Sequence, residues 1–453
     1  MSDADLQIYE KARSFHEQSF EHSERPDLTS QLPRVSLDGL EQTQVLGSGA
    51  FATVVAVRGS SLASLEQSPS VQKRSRQVSC ASTQIMGEDD DEQQQQQQQE
   101  AVFALKQLKS SLDPEDLGRA IADLATEARL LAEVNHPHIV SLRAISTGPK
   151  FDRSFFLVID RLQVSLKKRM DQWKAEYHRY SGLSGRLHDW NGQKRAALFQ
   201  QRLCAARDLG SAFQYLHENR IVFRDLKQEN VAFDNEGQIQ LFDFGLAKEL
   251  PALYHKDDRY NMTPHTGTLK YMAPEVALGL PYNESCDVYS FAILLWEMLS
   301  LNRAFASYTN KLLEEFVVRP PHRRPARNAK WPQELRDMMH NAWSPRISDR
   351  PSAKDMELML MDLCLEDNLP TKRHSLVDHN NTSNNNSNCK SSSSSKNQHH
   401  HHHHYQLHKP KFHLFHHNKH TGQPHHQSHP RDTDDTSSSI HEEAEQSLSI
   451  IVR

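Results

Sequence analysis

The sequence predicts an α+β fold, with strand signals crowded before about residue 160 and long helical periods after it. Three observations carry this. First, an apolar hairpin with a glycine-containing tip runs Val45-Leu46-Gly47-Ser48-Gly49-Ala50-Phe51-Ala52-Thr53-Val54-Val55-Ala56-Val57. Two further buried-strand runs follow, Ala101–Lys106 and Phe155–Leu162, with an amphipathic helix from about Leu117 to Val134 between them. Second, a helix from about Lys194 to His217 carries an apolar stripe at Leu198, Leu203, Leu209, Phe213 and Leu216, and a more apolar run surrounds Asp287–Met298. Third, a short hairpin lies between those helices. Its strands are Val231-Ala232-Phe233 and Ile239-Gln240-Leu241-Phe242, split by the turn Asp234-Asn235-Glu236-Gly237.

Composition narrows the class. The chain has 453 residues but only 37% hydrophobic content, so part of its length is expected not to fold. A formal net charge of −5 favours neither nucleic acid nor an anionic membrane as a partner. Cys80, Cys204, Cys286, Cys364 and Cys389 are scattered without metal spacing and read as reduced thiols, which places the protein in the cytoplasm or nucleus. Met1–Glu10 is polar and acidic, unlike a signal peptide. The most apolar run, Phe291–Leu299, is too short to span a bilayer and contains Glu297, so it reads as a buried helix.

In chain order, residues 1–39 are polar and read as a disordered extension, with at most a short helix around Leu6–Phe15. Residues 59–100 interrupt the strands. They are Ser-rich, then basic at Lys73-Arg74-Ser75-Arg76, then acidic, then a Gln run from Gln93 to Gln99, and read as a disordered insertion. Loop closure costs grow slowly with length, so such an insertion is tolerable. Asn135-His136-Pro137 stops the first helix. Residues 170–191 are long and polar and read as a surface insertion. Residues 367–453 are Asn-, Ser- and His-rich. Half of the 28 histidines fall between His399 and His429, a composition that suits a disordered tail gaining charge below about pH 6.5 and, less well, a tract that binds Zn²⁺, Ni²⁺ or Cu²⁺.

The stretch that organises the chain is Phe223-Arg224-Asp225-Leu226-Lys227-Gln228-Glu229-Asn230, followed across the hairpin by Asp243-Phe244-Gly245. The hairpin sets Asn230 and Asp243 side by side. One amide and one carboxylate oxygen suit Mg²⁺, which binds few protein ligands and completes its shell with water and phosphate. Asp225 then faces the same site as a base that orients a hydroxyl, and Lys227 neutralises a phosphate. The glycines at 47 and 49 let backbone N–H groups approach phosphate oxygens.

Taken together these motifs resemble the eukaryotic protein kinases of the Ser/Thr type, closest in style to the tyrosine-kinase-like group. The resemblance covers about 40–366 and implies a bilobal fold. A small β-rich lobe (40–160) carries one key helix, and a larger helical lobe (161–366) follows. It implies ATP and Mg²⁺ as cofactors and protein substrates bearing Ser or Thr, with an upstream kinase as activator. Gly47, Ser48, Gly49, Ala50, Phe51 and Val54 would cover the phosphates, Ala52 standing where a third Gly is usual. Ala104, Asp160 and Leu162 would line the adenine site, and Lys106, held by Glu127, would grip the phosphates. Asp225 and Lys227 would act at the transferred group, and Asn230 and Asp243 on the metal. Thr268 and Glu229 would shape the substrate pocket. Thr266-Gly267-Thr268-Leu269-Lys270-Tyr271-Met272-Ala273-Pro274-Glu275 matches the family's activation segment, with Tyr254, Tyr260, Thr263 and Thr266 as candidate phosphosites and the last two favoured. Trp343–Pro351 supplies the Arg that pairs with Glu275 in relatives. Phe223 departs from the usual His. That departure and the insertion before Lys106 support the competing reading, a kinase-fold scaffold acting by partner binding. The full set Lys106, Asp225, Asn230 and Asp243 argues against it. The peptide-groove motif Ala273-Pro274-Glu275 likewise argues against a small-molecule phosphotransferase.

Overall fold

The computed structural model describes residues 3–59, 62, 65, 102–182, 185–251 and 258–366. The disordered insertion expected at 59–100, apart from Gly59, Leu62 and Leu65, the expected tail at 367–453, and Tyr254 lie outside these residues.

The first lobe is a six-stranded sheet. Its strands are β1 (Arg34–Val35), β2 (Glu41–Ser48), β3 (Ala52–Arg58), β4 (Phe103–Leu108), β5 (Leu142–Ser146) and β6 (Phe156–Asp160), in the order β1-β5-β6-β4-β3-β2. All neighbours are antiparallel except β1 and β5. The β-branched run Thr53-Val54-Val55 alternates faces, so Val54 points toward the helix side and Val55 toward the opposite core. Two helices cover one face. Helix α1 (Asp3–Ser19) packs on α2 (Pro114–Glu133). Helix α2 begins with Asp113, which accepts the Asp116 N–H at 2.9 Å, and with Pro114 in the first turn. It ends at Glu133, ahead of Pro137, and buries Leu117, Ile121, Leu124, Ala128 and Leu131.

The second lobe opens with β7 (Val164–Ser165) and α3 (Leu166–Ser181), capped by the Ser165 hydroxyl, which accepts the Lys168 N–H at 3.2 Å. Helix α4 (Gln193–Glu218) buries the five positions of the expected stripe. It feeds β8 (Ile221–Val222), β9 (Val231–Phe233), β10 (Ile239–Leu241) and β11 (Lys248–Glu249). The expected hairpin forms, with Leu241 opposite Val231, and β11 pairs back on β8. The core helix α5 (Ser285–Ser300) is buried along most of its length, and α6 (Gln333–Ala342) and α7 (Ala353–Glu366) close the lobe. Among the described residues no helix is long and apolar enough to cross a membrane.

Two boundaries differ from the sequence reading. Within 1–39, residues 3–19 are helical, and Ala12, His16 and Phe20 are buried. Composition hid this because the anchoring residues are few and widely spaced. Within 170–191, residues up to Ser181 continue α3, and Met170 and Trp173 are buried, so the insertion reduces to roughly 182–192. There the buried carboxylate of Asp189 accepts the Lys194 N–H at 2.8 Å and the Arg195 side chain at 2.8 Å. Asp189 thereby caps the first turn of α4.

Candidate active site

The hairpin β2–β3 is closed by the Gly49 N–H donating to the Ala52 carbonyl at 2.8 Å. It roofs a narrow apolar slot lined by Leu46, Val54, Ala104, Ile159, Leu162 and Phe242. Lys106 and Glu127 close its inner end, and Asp160 lies at its edge. Asp160 turns its side chain away from the slot, accepting two bonds from Arg143 at 2.6 and 2.7 Å. Its backbone N–H donates to Ser141, and that of Arg161 donates to Val102.

At the inner end the Lys106 ammonium donates to Glu127 at 2.5 Å and to Asp243 at 2.7 Å. Glu127 is 2% exposed, so the ion pair is shielded from water and held in a low-dielectric setting. Burial works against the ammonium, but the Asp243 and Glu127 carboxylates outweigh it and raise its pKa, so Lys106 stays charged. Burial likewise resists the charge on Asp243, yet Lys106 and Lys227 hold its carboxyl below the usual range. Glu127 is shifted upward, chiefly by burial.

On the other wall the Asp225 carboxylate accepts from Lys227 at 2.6 Å, from the Asn230 amide at 3.0 Å and from the Thr268 hydroxyl at 3.0 Å. Burial raises its pKa against the pull of Lys227. The Asn230 amide also donates to the Asp225 carbonyl at 2.9 Å. The Phe242 N–H donates to the Asn230 carbonyl at 3.1 Å, which seats Asp243 beside Asn230 as the hairpin register requires. Because Asn230 commits its N–H groups to Asp225, its side-chain oxygen is the group left for a cation. Arg224 and Asp243 both sit at positive φ, 69° and 70°. Such backbone persists only where neighbours enforce it, and functional sites are where it gathers.

Phe223 is fully buried. Its ring meets Phe244 edge-on at 5.1 Å and Phe213 at 5.9 Å. The backbone N–H groups of Phe223 and Arg224 both donate to Asp287 of α5 at 2.8 Å. Glu275 is held by Arg350 through bonds of 2.6 and 2.8 Å, both residues being buried.

A sequence family described as protein tyrosine and serine/threonine kinase matches residues 40–360, which span both walls of this site. The chain belongs to the protein kinases. This kinase is 30% identical over 275 residues to the serine/threonine-protein kinase VIK of Arabidopsis thaliana, covering 60% of this chain and 56% of that one. It is 26% identical over 259 residues to mitogen-activated protein kinase kinase kinase 7 of Drosophila melanogaster, covering 56% and 32%. It is 28% identical over 268 residues to the human serine/threonine-protein kinase Nek10, covering 58% and 21%. The chain therefore spans little more than half, or less, of the length of these relatives.

The structure brings Lys106, Glu127, Asp225, Lys227, Asn230, Asp243 and Thr268 into one cleft. Gly47, Ser48, Gly49, Ala50, Phe51 and Val54 lie in the β2–β3 hairpin above it. Glu229 is half-buried on the turn between Lys227 and Asn230, close enough to Tyr271 to raise that phenol's pKa together with burial and Glu297. The two favoured phosphosites part company. Thr263 is exposed, whereas Thr266 is 9% exposed and donates its hydroxyl to the Thr263 carbonyl at 2.9 Å. Sequence reasoning passed over Asp287, which fastens the catalytic loop, and Asp123. Asp123 lies one turn before Glu127 on α2, where burial and the neighbouring Asp243 charge push its carboxyl up to about 7. An acid four residues before Glu127 on a helix was the available signal.

Proposed function

We propose that the chain is an ATP-dependent protein kinase that phosphorylates Ser and Thr hydroxyls of proteins in intracellular signalling. One observation carries the reading: the buried ammonium of Lys106 bridges Glu127 on α2 and Asp243 on the hairpin, so the lobes already share the charge pattern a triphosphate needs. In this reading the apolar slot takes the adenine, Lys106 grips the phosphates, and the hairpin tip offers backbone donors. Asn230 and Asp243 would hold Mg²⁺, which supplies neutralisation of phosphate charge when bound. Asp225 accepts the proton of the incoming hydroxyl, and Lys227 offsets charge on the transferred group. Thr268, bonded to Asp225, supports Ser and Thr over Tyr as acceptors.

The test is phosphate transfer from labelled ATP to generic protein substrates, followed by phosphoamino-acid analysis, with Asp225→Asn as the control. Label on Ser or Thr that the variant loses supports the reading. No transfer by the unaltered chain overturns it and favours a scaffold of the same fold; equal transfer by Asp225→Asn overturns the role given to Asp225.

A further inference from the structure

The segment ahead of the kinase domain grips the one helix whose position decides whether Lys106 meets Glu127. Its polar and stacking contacts on α2 fall at Thr126, Arg129 and Glu133. The His16 Nδ1 lies 3.2 Å from the Thr126 hydroxyl. The Arg129 guanidinium stacks 3.9 Å over the Phe20 ring and donates to the Ser23 hydroxyl at 3.3 Å and the Arg25 carbonyl at 3.1 Å. Arg25 stands 3.6 Å from Glu133. Spacings of three and four put these anchors on one helix face. Glu127 projects about 100° around from Thr126, toward Lys106.

The same short segment reaches the other lobe. The Ser23 hydroxyl donates to Glu249 at 2.6 Å, the Arg25 Nε lies 3.3 Å from that carboxylate, and Arg25 donates to the Asn219 carbonyl. Glu249 is on β11, just beyond Asp243-Phe244-Gly245, and β11 pairs with β8, which leads into Asp225. Downstream the segment is fastened again. Asp27 accepts from Lys150 at 2.7 Å, and β1 joins the sheet beside β5. Arg25 thus stands between two carboxylates, Glu133 on α2 and Glu249 on the strand after Asp243, whose side chains are 6% and 3% exposed. Arg129 lies 3.8 Å from the first and Arg220 3.5 Å from the second, but neither touches both. Removing Arg25 leaves Glu133 to Arg129 and Glu249 to Arg220, so the charge that joins α2 to the strand after Asp243 is lost.

We propose that residues 3–31 are a built-in clamp on α2 and that Arg25 is a positioning residue for the Lys106–Glu127 pair. The inference rests on the kinase reading for its effect on catalysis, but not for its effect on α2. Arg25 acts through α2 and touches no reacting atom.

The experiment uses the full chain with Arg25→Ala, Arg25→Lys and Phe20→Leu, and with Gln18→Ala on the exposed face of α1 as control. Amide hydrogen exchange across 114–133, ATP affinity by titration and the phosphotransfer rate are measured together. Arg25→Ala should speed exchange in α2 selectively and lower kcat by roughly tenfold to a hundredfold, the scale of a small misplacement in a catalytic array, while ATP affinity changes far less. Arg25→Lys should fall between, because one ammonium cannot span three acceptors. Phe20→Leu keeps apolar contact but loses the Arg129 stacking and the ring contact with His16, so its effect has the same direction and a smaller size. Gln18→Ala should match the unaltered chain. Exchange in α2 within twofold of the unaltered chain for Arg25→Ala overturns the clamp. So does exchange that rises equally throughout the domain, which marks a merely structural residue. If the unaltered chain transfers no phosphate, the kinase reading fails while the exchange data still decide the clamp.

Discussion

Mild acid should weaken the hold of α1 through a single side chain. His16 is 4% exposed, and its ring packs against Phe20 and Phe151 at 5.0 and 5.3 Å. Around it stand Thr126 and Arg129 of α2, Lys150 of the loop before β6, and Asp27 of its own segment. Burial, then the Lys150 and Arg129 charges, lower its pKa from 6.5 to about 3, and Asp27 only partly opposes them. The sign follows from linkage. The unfolded chain takes up the proton below 6.5 and the folded chain does not until about 3, so stability is full above 6.5 and declines across that window. Each pH unit costs about 1.4 kcal/mol, so at pH 5 the loss is at most about 2 kcal/mol. The assay is urea unfolding of the full chain and of His16→Gln at pH 7 and pH 5. Acids elsewhere, Asp123 and Glu133 among them, titrate in both proteins and cancel in the difference. His16→Gln should lose about 1–2 kcal/mol less than the unaltered chain on acidification. Identical losses would refute the argument, because they would mean that His16 titrates alike in the folded and unfolded states.

Other perturbations follow from named contacts. Lys106→Met leaves the buried Glu127 and the half-buried Asp243 without their shared cation, and the phosphotransfer rate should fall about 10²–10³-fold with helical content retained by circular dichroism; near-normal turnover would reject the assigned role. Arg350→Ala strands the buried Glu275 carboxylate, at about 3–5 kcal/mol, and should lower Tm by roughly 10 °C; a Tm within a degree or two would show the pair to be dispensable. Cys204 lies 3.5 Å from the Cys364 thiol, and that hydrogen bond, with Arg207 nearby, lowers its pKa from 9.0 to about 7. Its alkylation by iodoacetamide should therefore reach half its maximal rate near pH 7 and move toward pH 9 in Cys364→Ala; an unmoved midpoint would sink this. Phosphate at the exposed Thr263 should raise activity, so Thr263→Ala should not respond to preincubation with ATP while the unaltered chain does; equal responses, or none in either, would remove Thr263 as a switch.

The strands and helices that build the cleft were legible because each carries its own local period. The β-branched alternation of β3, the apolar stripe of α4 and the turn between β9 and β10 all act over a few neighbouring residues. The cleft residues were legible for a related reason. Asp225, Lys227 and Asn230 must be close in sequence to converge on one metal and one hydroxyl. The clamp has no such local cause. Ser23 meets a carboxylate 226 residues away, and Arg25 a carbonyl 194 residues away, so nothing in 1–39 alone distinguishes these residues from solvated ones. The first part of the region read as an insertion, 170–181, was hidden by charge. Asp171, Lys174, Glu176 and Arg179 dominate the composition, while Met170 and Trp173, spaced for one helix face, reach the core. Neither Asp287 nor Asp123 belongs to a motif of its own. Each is set by the fold: Asp287 holds backbone N–H groups, and the Asp123 carboxyl is shifted by burial and by the charge of Asp243.

The attachment of the catalytic loop to Asp287 bears on how this sequence can vary over evolutionary time. Both bonds run to main-chain N–H groups, which every residue except proline carries. Side-chain identity at 223 is thereby released from the task of anchoring and answers only to the volume and polarity of the cavity beneath Phe244. A lineage can exchange an imidazole for a phenyl ring there without passing through a form whose loop is adrift. Position 287 has no such freedom, since its two carboxylate oxygens each meet one of two adjacent amides, and Asn would turn an NH2 donor toward one of them.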